Sequence, residues 1–176
     1  MTIDMVAARA KAGKGTLYRR WSSKAELVID SVACMKNSNI DFDNLPDTGT
    51  LRGDLLAMVR PHSIKDGENK MKIMTGLVSM IARNPELADA AFAAMVEPRA
   101  RVNRIFFQRA IERGEIKPTV DVEALSTISS AMVFHRNLIV RKPIDREYLL
   151  SIIDGIVLPA AGLPQRNTAQ KNSAQN

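Results

Sequence analysis

The chain has 176 residues, 45% of them hydrophobic and 25% charged, with a formal net charge of +6 and a single cysteine, Cys34. This composition is that of an ordinary globular protein, and one cysteine excludes an intramolecular disulfide. No apolar run approaches the roughly 18 residues of a transmembrane helix, so we expect a cytoplasmic protein without a membrane partner.

The N-terminal part of the chain predicts three helices. Residues 2–10 repeat apolar side chains at helical spacing behind the potential N-cap Thr2. A tight turn at 11–13 then precedes a second short helix over 14–21. Ser22 or Ser23 caps the third helix, and Ser23 with Glu26 forms a capping box.

The rest of the chain is also predicted to be helical, so the fold class is all-α. The later predicted helices cover residues 50–62, 69–83, 86–113, 121–140 and 145–159. Pro98 is expected to kink the helix over 86–113, and Gly114 to cap its end. We expect three regions: a helix-turn-helix with its connecting helix over 1–37, a helical domain over 38–162, and a disordered polar tail over 163–176.

The positive charge is concentrated at the N-terminus. Residues 1–24 contain six basic residues and one acidic residue, whereas the remaining chain contains 19 basic and 18 acidic residues. Such a concentration is typical of a protein that binds a polyanion. A solvated basic terminus with no partner would show the same charge distribution.

Two short helices joined by a tight turn, the second of them basic, fit a DNA-binding helix-turn-helix. In this interpretation the second helix enters the major groove, and phosphates meet the ends of the neighbouring helices. The side chains expected to contact double-stranded DNA are Thr2, Lys14, Thr16, Tyr18, Arg19, Arg20 and Lys24.

The stretch TIDMVAARAKAGKGTLYRRWSSKAEL resembles the DNA-binding region of the TetR/AcrR transcriptional regulators. The matching positions are Thr2, Val6, Ala7, Ala10, Gly15, Thr16, Leu17, Tyr18, Trp21, Ser23, Lys24 and Leu27. The resemblance adds Gly15 to the expected DNA-binding residues. It implies a homodimeric regulator, a repressor in our interpretation, whose C-terminal domain binds a small molecule and thereby releases an operator.

Two departures from the family pattern bear on this interpretation. Lys11-Ala12-Gly13 stands where the family has Gly-Val-Ser. The family also has a helix before the position of Thr2, so we expect the DNA-binding unit to lack its first helix. The alternative function is therefore a truncated, dimeric helical interaction module that no longer binds DNA specifically.

Methionine and phenylalanine side chains in the later helices fit either a plain core or a pocket for a small hydrophobic effector. The resemblance adds His135 as a possible pocket residue. The predicted pocket consists of Met58, Met74, Val78, Phe92, Met95, Phe106, Met132 and His135. Neither a metal ion nor another cofactor is expected, and no catalytic motif points to an enzyme.

The last two predicted helices have wide apolar faces that require a cover. An intramolecular core would cover them, and so would a second copy of the chain. The resemblance favours a dimeric four-helix bundle, with an interface made by Leu125, Ile128, Met132, Ile152, Ile153 and Ile156.

Overall fold

The computed structural model describes residues 2–37, 40–59 and 86–165, together with Val78 and Ala82, and its regular elements are all helical. The α-helices of this part of the chain are α1 (Ile3–Arg9), α2 (Lys14–Arg20), α3 (Lys24–Asn37), α4 (Leu51–Ala57), α5 (Glu86–Met95), α6 (Glu97–Glu112), α7 (Val122–His135), α8 (Arg146–Ile152) and α9 (Leu158–Ala160). The all-α prediction is confirmed. The helix predicted over 69–83, the end of the helix over 50–62 and most of the predicted disordered tail lie outside the described residues. None of the helices described here is long and apolar enough to cross a bilayer.

The first three helices share a small apolar core. Its buried members are Ile3, Ala7, Leu17 and Leu27, and Val6 and Trp21 pack against it half-buried. These residues recur at helical spacing on α1, α2 and α3, which is why three short helices pack together. Helix α3 continues away from this core and packs against α5.

A larger core holds α4 and α6 to α9 together. Its buried members are Leu51, Leu55, Val102, Phe106, Phe107, Ala110, Ile116, Leu125, Ile152, Ile153, Val157, Leu158 and Ala161. Helix α6 lies at its centre, because α4, α5 and α7 all pack against it. We call helices α4 to α9 the body.

Two carboxylates fix the start of α4 within the body. Both oxygens of Glu115 accept hydrogen bonds from the backbone N–H of Leu51, at 2.8 and 3.0 Å. Asp154 accepts two hydrogen bonds from Arg52, at 2.7 and 2.9 Å, and is only 3% exposed. The first helix of the body is thereby tied both to the turn after α6 and to the segment that follows α8.

The chain over 86–113 forms two helices divided at Val96, where a single helix kinked at Pro98 was predicted. Helix α5 ends at Met95, and α6 begins at Glu97 with Pro98 in its first turn. Proline is tolerated in a first turn because the N–H that it lacks has no helical partner there.

Gly114 ends α6 as predicted. Its φ is +69°, in the left-handed region that glycine enters at little cost. Its N–H donates to Ile111 O, and the N–H of Glu115 donates to Ala110 O, both at 2.9 Å. The helices predicted over 121–140 and 145–159 contain π-helical turns that the sequence did not predict, at Arg136–Val140 and Ile153–Val157.

Candidate DNA-binding interface

Helices α1 and α2 are joined by a tight turn that contains a lysine in the left-handed conformation. Lys11 has φ +51°, a conformation that more commonly requires glycine. The N–H of Ala12 donates to Ala7 O at 3.0 Å, and Gly13 then starts α2 with an extended backbone. The Lys-Ala-Gly sequence therefore forms the tight turn despite its departure from the family pattern.

Helix α2 buries one face and presents the other to solvent. Leu17 is 8% exposed, whereas the adjacent Tyr18 is 48% exposed. The residues predicted to contact DNA all have exposed positions: Thr2, Lys14, Gly15, Thr16, Tyr18, Arg19, Arg20 and Lys24. Their ammonium, guanidinium and hydroxyl groups are suited to phosphate oxygens and base edges. Contact with DNA itself stays a prediction for each of them.

Thr2 caps α1 as predicted. Its side-chain oxygen accepts a hydrogen bond from the N–H of Met5 at 3.2 Å. This bond uses the oxygen as an acceptor and leaves the hydroxyl hydrogen for donation, so Thr2 can cap the helix and donate to a phosphate at the same time.

Lys14 is the first residue of α2 and is paired with an acidic residue of α1. Its Nζ lies 2.9 Å from Asp4 Oδ1 and 3.0 Å from Asp4 Oδ2. The hydrogen bond to Asp4, followed by the attraction between the two charges, raises the pKa of Lys14 above 10.5. Lys14 thus stays protonated, with its ammonium held beside α1 at the start of α2.

Arg20 and Trp21, at the C-terminal end of α2, share one acidic partner on α3. Arg20 Nη2 lies 3.4 Å from Asp30 Oδ2, and Trp21 Nε1 donates to the same oxygen at 3.0 Å. The guanidinium carbon of Arg20 lies 4.8 Å from the centroid of the indole ring, within cation–π range. These contacts fasten the end of α2 to α3.

The remaining predicted side chains have simpler surroundings. Arg19 Nη2 donates to Thr16 Oγ1 at 3.3 Å, which pairs two neighbouring side chains on the outer face of α2. Lys24 is exposed in the first turn of α3.

Sequence reasoning placed all these groups at the surface, but it missed Asp4 and Asp30 as the partners of two of the cations. Their opposite charge was the available signal, and the packing of α1 and α3 around α2 was needed to use it.

The capping box at the start of α3 differs from its prediction in one bond. The N–H of Glu26 donates to Ser23 Oγ at 3.2 Å, as expected. The carboxylate of Glu26, however, accepts from the N–H of Ser22 at 2.8 Å and from the Ser22 hydroxyl at 2.7 Å. These bonds to Ser22, the hydroxyl first, lower the pKa of Glu26 below 4.5. The box therefore holds the chain in place immediately before Lys24.

The residues predicted to form an effector pocket lie in different environments. Phe106 has no accessible surface and belongs to the core of the body, whereas Val78, Phe92 and His135 are exposed. Met58 and Met132 are half-buried against the same core. Met74 and the side chain of Met95 lie outside the described residues. A cavity lined by this set stays a prediction, and no group of three potential metal ligands occurs among the residues that the structure describes.

Half of the predicted dimer-interface residues are buried in the core of a single chain. Leu125, Ile152 and Ile153 are 7%, 1% and 6% exposed, so they have almost no surface left to bury against a partner. The other predicted members, Ile128, Met132 and Ile156, are half-buried. Large apolar side chains that remain exposed near the end of α7 are Phe134, Ile139 and Val140, at 44%, 69% and 42%.

Two family models match the chain in two separate regions. Residues 1–30 match the model of bacterial regulatory proteins of the tetR family. Residues 45–156 match the tetracyclin repressor-like C-terminal domain. The matches therefore cover both the helix-turn-helix and most of the body.

Two similar proteins align with this chain over most of its length. An uncharacterised HTH-type transcriptional regulator of Mycobacterium bovis is 32% identical over 160 residues, covering 91% of this chain and 77% of the relative. The DNA-binding transcriptional repressor TetR of Mycobacteroides abscessus is 32% identical over 158 residues, covering 89% and 81%.

A solved structure agrees with these sequence matches. The crystal structure of the TetR family transcription regulator SCO0332 superposes with a TM-score of 0.67 at 28% identity, covering 89% of this chain and 85% of that one. The relatives are transcriptional regulators and not enzymes. This chain therefore belongs to the TetR family of DNA-binding transcriptional regulators.

Proposed function

We propose that this protein is a cytoplasmic transcriptional repressor that binds an operator as a homodimer and leaves it when a small hydrophobic effector binds the body. The observation that carries the proposal is the outer surface of α2, where Lys14, Arg19 and Arg20 are exposed on a helix-turn-helix. The repressor named among the relatives supports repression over activation.

The DNA-binding step follows from the charge and shape of this surface. Phosphate contacts supply most of the affinity and make it strongly dependent on salt. Contacts from the first turns of a recognition helix to base edges supply the sequence preference. We therefore assign base reading to Thr16 and Arg19 on the outer face of α2, and phosphate binding to Thr2, Lys14, Tyr18 and Lys24.

Dimerisation is expected through α7 and α8. The exposed side chains of Phe134, Ile139 and Val140 give this end of the body an apolar surface beside the half-buried Ile128 and Met132. A second copy bound there would place two helix-turn-helix units about a twofold axis, as palindromic half-sites require.

Effector control requires a connection between the body and the DNA-binding helices. Helix α3 provides it, because it starts at the helix-turn-helix and packs against α5 of the body. An effector that binds near Met58 and Met132 and displaces α5 would shift α3, and with it the distance between the two α2 helices of the dimer.

Binding of this chain to a duplex from its own upstream intergenic region, titrated with salt, tests the proposal. We expect binding that resists competitor DNA and weakens steeply as salt rises. Weak binding that is equal for any duplex would contradict the proposal and favour a dimeric interaction module. Addition of small hydrophobic compounds to the bound complex then tests effector control, since an effector must release the operator.

A further inference from the structure

Asp4 holds the lysine that begins the recognition helix. The ammonium of Lys14 lies 2.9 and 3.0 Å from the two carboxylate oxygens of Asp4, which lies ten residues earlier on α1. Both side chains are exposed, at 61% for Lys14 and 58% for Asp4. Both charged groups of this ion pair are therefore accessible on the described surface of the chain.

A phosphate oxygen of DNA can bind the ammonium of Lys14 in the same way as a carboxylate oxygen of Asp4. Each is a negatively charged acceptor for the N–H groups of an ammonium. The first turn of a recognition helix faces the groove and its phosphates, so Lys14 stands where both acceptors can reach it.

We propose that Asp4 competes with DNA phosphate for Lys14 and thereby lowers the affinity of the protein for double-stranded DNA. This inference rests on the proposed DNA-binding function and adds an attenuating residue to it. Exposed lysine–aspartate pairs are weak, so DNA displaces the carboxylate at a small cost in affinity, about two- to fivefold.

The Arg20–Asp30 ion pair is not proposed to compete with DNA in this way. Asp30 accepts from Trp21 Nε1 at 3.0 Å as well as pairing with Arg20, so it holds the shape of the unit. Asp4 makes no hydrogen bond among the described residues other than those to Lys14. Replacing Asp4 therefore removes the competition and leaves the packing of α1 in place.

The test uses the full chain with Asp4→Asn, alone and combined with Lys14→Gln. Glu147→Gln is the matched control, because it removes one exposed negative charge in the first turn of α8. Each variant is titrated with the upstream duplex and with an unrelated duplex of equal length, and its fold is compared by circular dichroism.

We expect Asp4→Asn to tighten binding of both duplexes about two- to fivefold, Glu147→Gln to leave it unchanged, and Asp4→Asn to have no effect when Lys14→Gln is present. An unchanged affinity of Asp4→Asn overturns the inference. An equal gain with and without Lys14 also overturns it, because Asp4 would then act only by repelling DNA. If the unaltered chain and all variants bind neither duplex, the proposed function fails together with this inference, whereas the first two results leave the proposed function standing.

Discussion

Arg52 and Asp154 join the first helix of the body to the π-helical turn that follows α8 through two parallel hydrogen bonds of 2.7 and 2.9 Å, across 102 residues of sequence. Asp154 is 3% exposed, whereas the side chain of Arg52 is 33% exposed, so the carboxylate depends on the arginine for its charge compensation. The hydrogen bonds to Asp154 are the main reason that the pKa of Arg52 is raised.

Removal of this arginine should destabilise the body. Arg52→Met leaves a buried carboxylate without a partner, and we expect a loss of about 2 kcal/mol in the free energy of unfolding, less than for a fully buried pair because Arg52 is partly solvated. Urea unfolding measures the loss. Arg146→Met is the control, since Arg146 is exposed at the start of α8, and its effect should stay below about 0.5 kcal/mol. Equal losses in the two variants would contradict the assigned role of the pair.

Lys24 should contribute to DNA affinity without contributing to sequence preference. Lys24→Gln removes an exposed cation expected to contact a phosphate, so the operator and an unrelated duplex should lose affinity by the same factor. The slope of log K against log salt should fall by about 0.9. Lys117→Gln, which removes an exposed charge in the turn after α6, should change neither quantity. A loss restricted to the operator would instead assign Lys24 to a base edge.

Glu26 should make the stability of the DNA-binding unit depend on pH. Its pKa is lowered in the folded chain, chiefly by the hydroxyl of Ser22. The stabilisation is therefore complete above the unfolded value near 4.5 and is lost as the pH falls through the lower folded value. Unfolding measured from pH 6 downwards should show this loss, and Glu26→Gln should reduce the dependence. An unchanged pH profile in that variant would contradict the prediction.

Gly114 should resist substitution for a conformational reason alone. Its φ of +69° disfavours any residue with a Cβ, although no atom lies within 4 Å of the position that a Cβ would take. We expect Gly114→Ala to lower the free energy of unfolding by about 1–2 kcal/mol. Gly155→Ala is the matched control, because Gly155 is equally uncrowded and has no positive φ; it should be neutral or slightly stabilising.

Ile139 should be needed for dimerisation and not for folding. It is 69% exposed in a single chain, so a polar substitution costs the protomer little. Ile139→Lys should raise the dimer dissociation constant at least about tenfold, through the lost apolar area and the charge placed in the interface. Sedimentation equilibrium measures this change, and Ala88→Lys, on the exposed side of α5, is the control. An unaltered dimer would place the interface elsewhere.

Local signals were sufficient to predict most of the helices and the exposed basic surface. Thr2 and Ser23 accept the capping hydrogen bonds at the starts of α1 and α3 that the sequence predicted. The exposed positions on α2 followed from helical spacing, because Leu17 marks the buried face. Both kinds of inference depend on residues within about one turn of each other.

The features that local patterns could not predict depend on contacts between distant segments. Leu125 and Ile152 have the apolar pattern of either a core or an interface, and only the packing of α7 and α8 on α6 shows that they are core. The partners Asp4 and Asp30 lie ten residues from their cations, on other helices. The division of the chain at residue 37, the pocket and the remaining interface residues stay predictions.

Trp21 gives the protein a natural optical reporter of one region. It is the sole tryptophan of the chain, and its indole sits between the guanidinium of Arg20 and the carboxylate of Asp30 at the junction of α2 and α3. Its fluorescence therefore reports on the helix-turn-helix and on the cleft that Trp21 shares with Ala90 and Ala94 of α5, whereas circular dichroism is dominated by the larger number of helical residues elsewhere. Comparison of the two signals during unfolding distinguishes a chain that melts as one unit from a chain whose DNA-binding helices loosen first.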